Sequence, residues 1–396
     1  MADPKKAVIV GYDAVSPLGT DINIQWQRAI QGESGISELT RFPLRDDFPV
    51  RIAGQVDEID TTPYPFLSAR DLANWTSPIF KYAMLVVHRA LENSGLRITS
   101  ELSPRTTVTF SSAVGGQDAL IKADRKMIAQ GKLPHPFTNS NSCINMIGGK
   151  ISILTNATGP ITSTITACAT GLTVDFPLVE PIVGGFATMN GAFSPKEGSP
   201  EESPEKASRP FSKNRRGFVV SEGAGCVILT TKEFAETHGL KYSVEIAGWS
   251  MTSDAHHFVA PNFKTVSKCI HESILDAGIS PDSIDAVNAH AASTRVGDKV
   301  EYDSLKSVFG NTIPPVSANK SLIGHAMGAS SAIESIFTIM GMQNDTLIPT
   351  INYTPDPDMK LDCVSDGKRS LSQEFVLKNS FGFGGCNSCV VFRKIN

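Results

Sequence analysis

Short apolar runs alternate with helical repeats along this chain. Eight runs that end in small residues predict buried strands: AVIVGYDAV, TVTFSSAVGG, STITACATG, FVVSEGAGCVILTT, YSVEIAGWS, DAVNAHAAS, PPVSAN and SCVVFRK. Two segments place apolar residues at i, i+3, i+4 and i+7 and stop at glycine. They predict helices over IFKYAMLVVHRALENSG, ending at Gly95, and over Thr265 to Gly278. Strands and helices in alternation predict an α/β fold built in layers.

The two halves of the chain are loosely similar to each other. Each opens on a strand that leads into a turn with glycine or serine. Each later has a strand ending in tiny residues, TVTFSSAVGG near 107 and DAVNAHAAST near 285. This pattern predicts a duplicated unit, with an N-terminal half over 1–238 and a C-terminal half over 239–396. The stretch from Ser194 to Pro210 is rich in Pro, Ser, Glu and Lys and predicts a surface loop.

Composition narrows the functional classes. The chain has 396 residues and a formal net charge of -4, which argues against general nucleic-acid binding. No apolar run approaches the roughly 18 residues of a membrane span, and the first residues do not resemble a signal peptide. Seven cysteines are an odd number, and the C-N-S-C pair at 386 and 389 has no second Cys or His pair at metal-ligand spacing. We therefore expect reduced thiols in a cytoplasmic protein without a metal site.

Four separate segments carry candidate chemistry. In TITACATGL, Cys168 follows a predicted strand at a turn whose backbone N–H groups could stabilise a thiolate, although a lone cysteine is more often structural. His290 lies at a strand end in VNAHAASTRVGD. Taken alone, His290 could be structural or merely solvated, and the same holds for His325. His325 opens a helix of small residues in SANKSLIGHAMGASSAIES, with Lys320 five residues before it. The fourth segment, NSFGFGGCNS over 379–388, suits a loop whose N–H groups and aromatic rings face a ligand.

In this order, the four segments resemble the β-ketoacyl-acyl carrier protein synthases, the condensing enzymes of the thiolase superfamily, and most closely the synthase I/II type. AVIVGYDAVSPLG resembles the family's opening strand, and RPFSKNRRGFVVSEGAG its RPFD-containing stretch. NAHAAST is similar to the NAHGTST motif, NKSLIGHAMGAS to the lysine and GH..GA motif, and NSFGFGGCN to the NSFGFGGTN loop. The resemblance covers nearly the whole chain. It implies a duplicated, thiolase-like α-β-α-β-α architecture of five layers, with the cysteine in the N-terminal half and both histidines in the C-terminal half.

The resemblance also implies a Cys-His-His active site. Cys168 would accept an acyl chain from a carrier thioester. The backbone N–H groups of Cys168 and Phe383 would form the oxyanion hole. His290 and His325 would donate hydrogen bonds to the malonyl thioester carbonyl and so stabilise the enolate that decarboxylation produces.

Further positions of the family motifs fall on supporting residues. Lys320 and Glu334 would anchor the histidine region, and Asp254 would support the site from the SDAHHFVAP stretch. Ser293 and Thr294 would bind the pantetheine arm, and the ring of Phe383 would gate the site.

The implied reaction is the decarboxylative Claisen condensation of an acyl thioester with malonyl-acyl carrier protein to a 3-oxoacyl product, in fatty-acid or polyketide synthesis. It needs no metal and no redox cofactor, because the phosphopantetheine arm arrives on the carrier. The expected partners are acyl carrier protein, malonyl and acyl thioesters, and a second subunit in a homodimer or a heterodimer. Two alternatives stay open: acyl transfer or thioester processing without elongation, and a chain-length partner subunit, a class that typically loses the nucleophile.

Three departures concern binding of the carrier protein. Ala291 and Ala292 replace a glycine and a threonine, and Val259 replaces another threonine that contacts the carrier arm. Each lost hydroxyl weakens binding by roughly 1 kcal/mol if nothing compensates. The predicted helix near 67–82 has only Arg70 and Lys81 as basic residues. Carrier docking could then rest on three other basic residues, Lys213, Arg215 and Arg216, which could equally belong to a solvated loop.

A fourth departure follows the cysteine. After CATGL the family has a long helix and then a strand, but here Thr173 and Val174 lead straight to Asp175. The interval from Gly171 to Ser208 is too short for both elements, and a missing strand would leave unpaired edges in the sheet. Either the fold is locally remodelled or residues are absent from the chain as given. We expect the second, because a deletion would remove core from beneath the thiol.

Overall fold

The computed structural model describes residues 6–169, 174–175, 178–189, 191–194 and 203–395, with only the backbone at 174–175. Its strands are β1 (Ala7–Val15), β2 (Ile36–Glu38), β3 (Ile52–Gly54), β4 (Val108–Ser111), β5 (Ile161–Thr164), β6 (Val174–Asp175), β7 (Gly223–Thr231), β8 (Val244–Ser253), β9 (Ala286–Asn288), β10 (Val316–Ser317), β11 (Thr346–Leu347), β12 (Arg369–Ser370), β13 (Phe375–Gly382) and β14 (Cys386–Lys394). Its helices are α1 (Ile22–Gln31), α2 (Ala69–Asn74), α3 (Pro78–Ser94), α4 (Gln117–Gln130), α5 (Thr138–Ser142), α6 (Ile144–Thr155), α7 (Glu180–Thr188), α8 (Lys232–Thr237), α9 (Phe263–Asp276), α10 (Arg295–Phe309), α11 (Lys320–Ile323) and α12 (Gly328–Gln343). Residues 195–202 of the predicted surface loop lie outside the described residues.

An eight-stranded mixed sheet runs through both halves, in the order β10-β9-β13-β14-β8-β1-β7-β6. β1 pairs antiparallel with β7 from Ala7↔Thr231 to Val15↔Ala224. It also pairs with β8 at Ala7↔Ile246, so the two halves meet at their first strands.

Strand pairing repeats between the two halves. In the C-terminal half, β9 and β10 form a parallel pair, β13 runs parallel to β9 and antiparallel to β14, and β14 pairs antiparallel with β8. In the N-terminal half, β4 and β5 form a parallel pair and β7 pairs antiparallel with β1. This repeat agrees with the duplicated unit expected from the sequence. The boundary between 238 and 239 stays a prediction and lies between α8 and β8.

The two helices expected from apolar spacing both form. α3 ends at Gly95, whose φ of 68° is left-handed and suits a residue without a Cβ. α9 buries the apolar face that its spacing predicts, with Val266, Ile270 and Ile274 in the core against the sheet. None of the helices in the described ranges is long and apolar enough to cross a membrane.

The segment after the cysteine is described only in part, because residues 170–173 and 176–177 lie outside the described residues, and the choice between local remodelling and absent residues stays a prediction. β6 pairs with β7 at only two positions, Val174↔Ala224 and Asp175↔Gly223, and α7 begins five residues later. Among the described residues, no long helix or longer strand stands between the cysteine and α7. The turn that carries the cysteine packs against α12 and β13.

Candidate active site

Cys168 lies in a short 3-10 turn, Ala167–Ala169, four residues beyond the end of β5 at Thr164, so it follows a strand at a turn as the sequence predicted. Its side chain is only 5% exposed and belongs to an apolar cluster that includes Ala292, Met327 and Phe383. The Sγ atom lies 4.0 Å from Sδ of Met327. The thiol is therefore held among side chains from both halves of the chain.

Gly382, at the end of β13, lies against the backbone of the nucleophile turn. A Cβ at this position would be 2.7 Å from the Thr166 carbonyl oxygen and 3.0 Å from the Cys168 nitrogen. Only glycine permits this approach without displacing the turn. The approach brings the glycine-phenylalanine loop, including Phe383, next to the backbone N–H of Cys168.

The two predicted catalytic histidines face each other. Their ring centroids are 5.4 Å apart with an interplanar angle of 84°, and His325 is buried while His290 is half-buried. The backbone N–H of His325 donates to the Val219 carbonyl at 2.7 Å. Ala292 and Met327, two residues after His290 and His325 respectively, both pack in the cluster around Cys168. The structure thus brings together the three residues that the sequence singled out.

A buried charge network lies beneath the histidines. Lys320 Nζ donates to the His290 carbonyl oxygen and to Glu334 Oε1, each at 2.6 Å. Lys378 Nζ lies 2.8 Å from the second carboxylate oxygen of Glu334, and all three side chains are almost fully buried. Burial, together with the positive charges of Lys320 and Lys378, holds the pKa of both histidines well below its ordinary value. Both rings are therefore neutral at physiological pH.

Hydrogen bonds at the backbone fix His290, and a hydroxyl orients His325. The carboxylate of Glu301 accepts from the backbone N–H groups of His290 at 2.9 Å and Ala291 at 2.7 Å. Ser330 Oγ accepts from the backbone N–H of Ala326 at 2.8 Å and lies 3.1 Å from Nδ1 of His325. A serine hydroxyl that accepts from the Ala326 N–H can also donate its own proton to Nδ1. The ring proton of His325 then belongs on Nε2.

Asp254 ties three segments together at the site's edge. Its carboxylate accepts from the Asn262 backbone N–H at 3.0 Å and from Nδ2 of Asn387 at 2.6 Å. Its own N–H donates to the Gly385 carbonyl at 3.0 Å, which fixes the glycine-phenylalanine loop. Phe383 is half-buried, and its ring centroid lies 6.3 Å from that of Phe186.

The predicted pantetheine residues both have hydrogen bonds within the protein. Ser293 is fully buried and its Oγ accepts from the Arg209 N–H at 3.1 Å. Thr294 is the N-cap of α10, where its hydroxyl accepts from the Gly297 N–H at 3.2 Å. Their role in binding the arm stays a prediction.

One of the three basic residues considered for carrier docking is unsuitable. Arg215 is 6% exposed. Its guanidinium donates to the Thr294 carbonyl and to Asp356, and these bonds hold the start of α10 in place. Lys213 is exposed, and the Arg216 guanidinium lies 5.1 Å from the ring centroid of Phe193. These two are the members of that trio that a partner could reach.

Several residues of the site were missed by sequence reasoning: Met327, Glu301, Ser330 and Lys378. Two of them carried a signal. Lys378 interrupts the apolar run FVLKNSF, and a charge inside a buried strand indicates a buried partner. Glu301 lies on the same face of α10 as Tyr302 and Leu305, at the spacing of buried positions.

Comparison with known proteins agrees with this geometry. Residues 5–189 match the model of the beta-ketoacyl synthase N-terminal domain, and residues 243–354 that of the C-terminal domain. A 3-oxoacyl-[acyl-carrier-protein] synthase 2 of Coxiella burnetii is 34% identical over 420 positions, covering 99% of both chains. The Staphylococcus aureus enzyme of the same name is 32% identical over 427 positions, covering 100% of this chain and 99% of the relative. Both alignments are longer than this chain of 396 residues, by at least 24 positions.

Solved structures lead to the same family. A type II PKS acyl-carrier protein complex with its ketosynthase contains a chain that superposes with a TM-score of 0.89 at 26% identity, covering 99% of this chain and 100% of that one. The ishigamide ketosynthase/chain length factor has a TM-score of 0.89 at 25% identity, with the same coverage. The expected thiolase-like fold is confirmed. The chain therefore belongs to the β-ketoacyl synthase family and is an enzyme of the acyltransferase class.

Proposed function

We propose that this protein joins an acyl group to a malonyl unit by decarboxylative condensation, forming a 3-oxoacyl thioester on a carrier protein. The observation that carries the proposal is the pair of neutral imidazoles, 5.4 Å apart, beside the cluster that holds Cys168. Two uncharged rings that can each donate one N–H suit an oxygen that gains negative charge during the reaction.

Acyl transfer to the cysteine is the first half of the reaction. The sulfur of Cys168 attacks the thioester carbonyl, the new C–S bond forms, and the carrier thiol leaves with the proton that the cysteine loses. The tetrahedral oxyanion would accept from the N–H groups of Cys168 and Phe383, a role supported by the close approach of Gly382 to the backbone of the nucleophile turn. These roles of Cys168 and Phe383 are part of the proposal.

Condensation is the second half. Malonyl-carrier loses CO2, and the electron pair of the broken C–C bond passes to the thioester oxygen as an enolate. His290 and His325 donate hydrogen bonds to that oxygen while Lys320 stays below them as a fixed positive charge. The enolate carbon then attacks the acyl-cysteine, a C–C bond forms, and the cysteine thiolate leaves. Pantetheine on the carrier is the only prosthetic group that this scheme uses.

Acyl carrier protein is the proposed partner, supported by the relative solved with its acyl-carrier protein. Exposed Lys213 and Arg70, with Arg216 beside the Phe193 ring, would meet its acidic surface. A dimer is also proposed. Every residue of β5 is exposed, and Ile161 and Ile165 are 42% and 61% exposed, an apolar edge that a second subunit would cover. A cytoplasmic location remains part of the prediction.

Acyl transfer without elongation is the second candidate. Ala292 packs against the cysteine cluster without a hydroxyl, and Val259 is 37% exposed. Loss of these arm contacts would weaken the hold on malonyl-carrier more than on an acyl group already bound to sulfur.

One experiment separates these functions. The purified full chain is incubated with acyl-carrier and malonyl-carrier, and the mass added to Cys168 and the length of the products are read by mass spectrometry. Products two carbons longer support condensation, whereas products of unchanged length support transfer. The matched variant C168A should lose both the adduct and the product. If an assembled complex with a second subunit keeps its full activity with that variant, the chain is a chain-length partner and the proposal is overturned.

A further inference from the structure

A cavity of about 500 Å3 lies between two strands of the N-terminal half, away from the proposed active site. One wall is β4 and the loop before it, and the opposite wall is β7 from Gly225 to Thr231. Its floor is apolar, with Val86 of α3 and Ile151 of α6 both buried in the core. The described lining includes none of the proposed catalytic residues.

The wall formed by β4 presents backbone groups without a strand partner. Within the described part of the chain, β4 pairs only with β5, and the Val108 N–H donates to the Pro160 carbonyl on that side. Because successive residues of a strand direct their N–H and C=O groups to opposite edges, those of Thr109 point towards the cavity. The Thr109 side chain is exposed as well.

The opposite wall is also a strand edge. β7 pairs with β1 along its length on one side. On the other side, the described residues pair with it only at Gly223 and Ala224, through β6. From Gly225 onwards, alternate residues of β7 therefore direct their N–H and C=O groups into the cavity.

The C-terminal half shows what belongs in this position. There β13 lies between β9 and β14, parallel to the first at Val376↔Ala286 and antiparallel to the second over eight residues. β4 corresponds to β9 and β7 to β14 in the duplicated pairing. Among the described residues, the N-terminal equivalent of β13 is represented by the two residues of β6.

We propose that the cavity is a binding site for an extended segment of a partner polypeptide, which adds a strand between β4 and β7. The segment would run parallel to β4 and antiparallel to β7 and would be about seven residues long, the length of β7 that has no second strand partner among the described residues. Val108 and Phe110 of β4 face the apolar floor while Thr109 is exposed, so the segment should be apolar at alternate positions.

Backbone chemistry favours a peptide over a lipid chain. A hydrocarbon would fill the apolar volume but would leave the N–H and C=O groups of both edges without partners inside the site. A strand supplies a donor and an acceptor to each edge and fills the same space.

The test uses the full chain and two fluorescent peptides. One has the sequence of β13, FVLKNSFG, and the other alternates Val and Thr over eight residues. We expect saturable binding by anisotropy, and protection from hydrogen exchange at Thr109 and at alternate amides from Gly225 to Thr231. Thr109→Pro removes one edge donor, and Thr109→Val is its matched control because both lack the hydroxyl. The proline variant should bind at least threefold more weakly than the valine variant, with unchanged circular dichroism.

Four results would overturn the proposal. Neither peptide binds saturably, or both variants bind the peptides equally. The third is protection of these amides before any peptide is added. Protection that rises with protein concentration counts against it too, since the occupant would then be a second copy of this chain. The exchange measurement on the unaltered protein decides the matter if the proline variant does not fold.

Discussion

The Nζ atom of Lys320 donates to the backbone carbonyl oxygen of His290 at 2.6 Å. The same ammonium donates to Glu334, which also pairs with Lys378. Two buried cations therefore share one carboxylate directly beneath the two imidazoles. A positive environment of this kind keeps both rings neutral. A neutral imidazole can donate a hydrogen bond from one nitrogen while its other nitrogen accepts one.

Replacing Lys320 by methionine should shift the pH dependence of malonyl-carrier decarboxylation. Burial and the Lys320 charge both lower the pKa of His290 and His325, so removing the charge raises both values towards 6.5. Protonation inactivates the rings, and the acid limb of the rate profile should therefore move to higher pH. CO2 release measured between pH 4.5 and 8 checks this. Lys299→Met, at an exposed pair with Asp303, is the control; a profile that moves equally in both variants contradicts the argument.

Glu334→Gln should destabilise the fold more than Lys320→Met. Glutamine leaves two buried ammonium groups without a counter-charge, which costs about 3–5 kcal/mol of unfolding free energy. Methionine at 320 leaves Glu334 paired with Lys378 at 2.8 Å, so one matched ion pair survives. Urea unfolding of both variants at pH 7 measures the difference. A larger loss for Lys320→Met would show that the charge balance described here is wrong.

The proposed chemical residues were predictable from the sequence, while the groups that position them were not. Cys168, His290 and His325 each lie in a local motif, and a local motif can be recognised in the sequence without knowledge of the fold. Glu301 lies in α10 and accepts from the backbone N–H of His290, and Met327 contacts Cys168 although the two are 159 positions apart. These contacts exist only after folding. Arg215 was considered for docking because its neighbours are basic and polar. Its burial depends on Asp356, which the sequence places far from it.

Two helices of the fold were likewise predictable, because the spacing of their apolar residues alone indicates them. α3 and α9 follow from apolar periodicity and a terminal glycine. The two-residue β6 could not be predicted from the sequence, because it is defined by its pairing with β7 and not by its own residues.

Ser330→Ala should slow decarboxylation about 3- to 10-fold at pH 7, the effect of losing one hydrogen bond of roughly 0.5–1.5 kcal/mol. The hydroxyl lies 3.1 Å from Nδ1, and by donating to that nitrogen it would hold the His325 proton on Nε2. Without it, part of the protein carries the wrong tautomer. The rate of CO2 release measures the effect, and acylation of Cys168 should stay unchanged. Ser331→Ala is the control, since that hydroxyl donates to the Gly328 carbonyl in α12. Equal rates for the two variants would remove Ser330 from the mechanism.

Gly382→Ala should impair acylation of Cys168. Its added methyl would lie 2.7 Å from the Thr166 carbonyl oxygen and 3.0 Å from the Cys168 nitrogen, and both are backbone atoms that cannot turn away. The turn must shift, which moves the sulfur and one proposed oxyanion donor together and costs about 1–3 kcal/mol of stability. The adduct mass at Cys168, followed against time with an acyl-carrier substrate, gives the rate.

Gly384→Ala is the matched variant for that experiment, two residues away in the same loop. A methyl there meets nothing within 4 Å, although φ of 79° makes the alanine backbone unfavourable by roughly 1–2 kcal/mol. Both variants therefore lose stability, but only the first presses on the nucleophile turn. We expect an acylation rate near that of the unaltered protein for Gly384→Ala and at least a tenfold lower rate for Gly382→Ala. Equal rates would mean that the close approach of Gly382 does not position the cysteine.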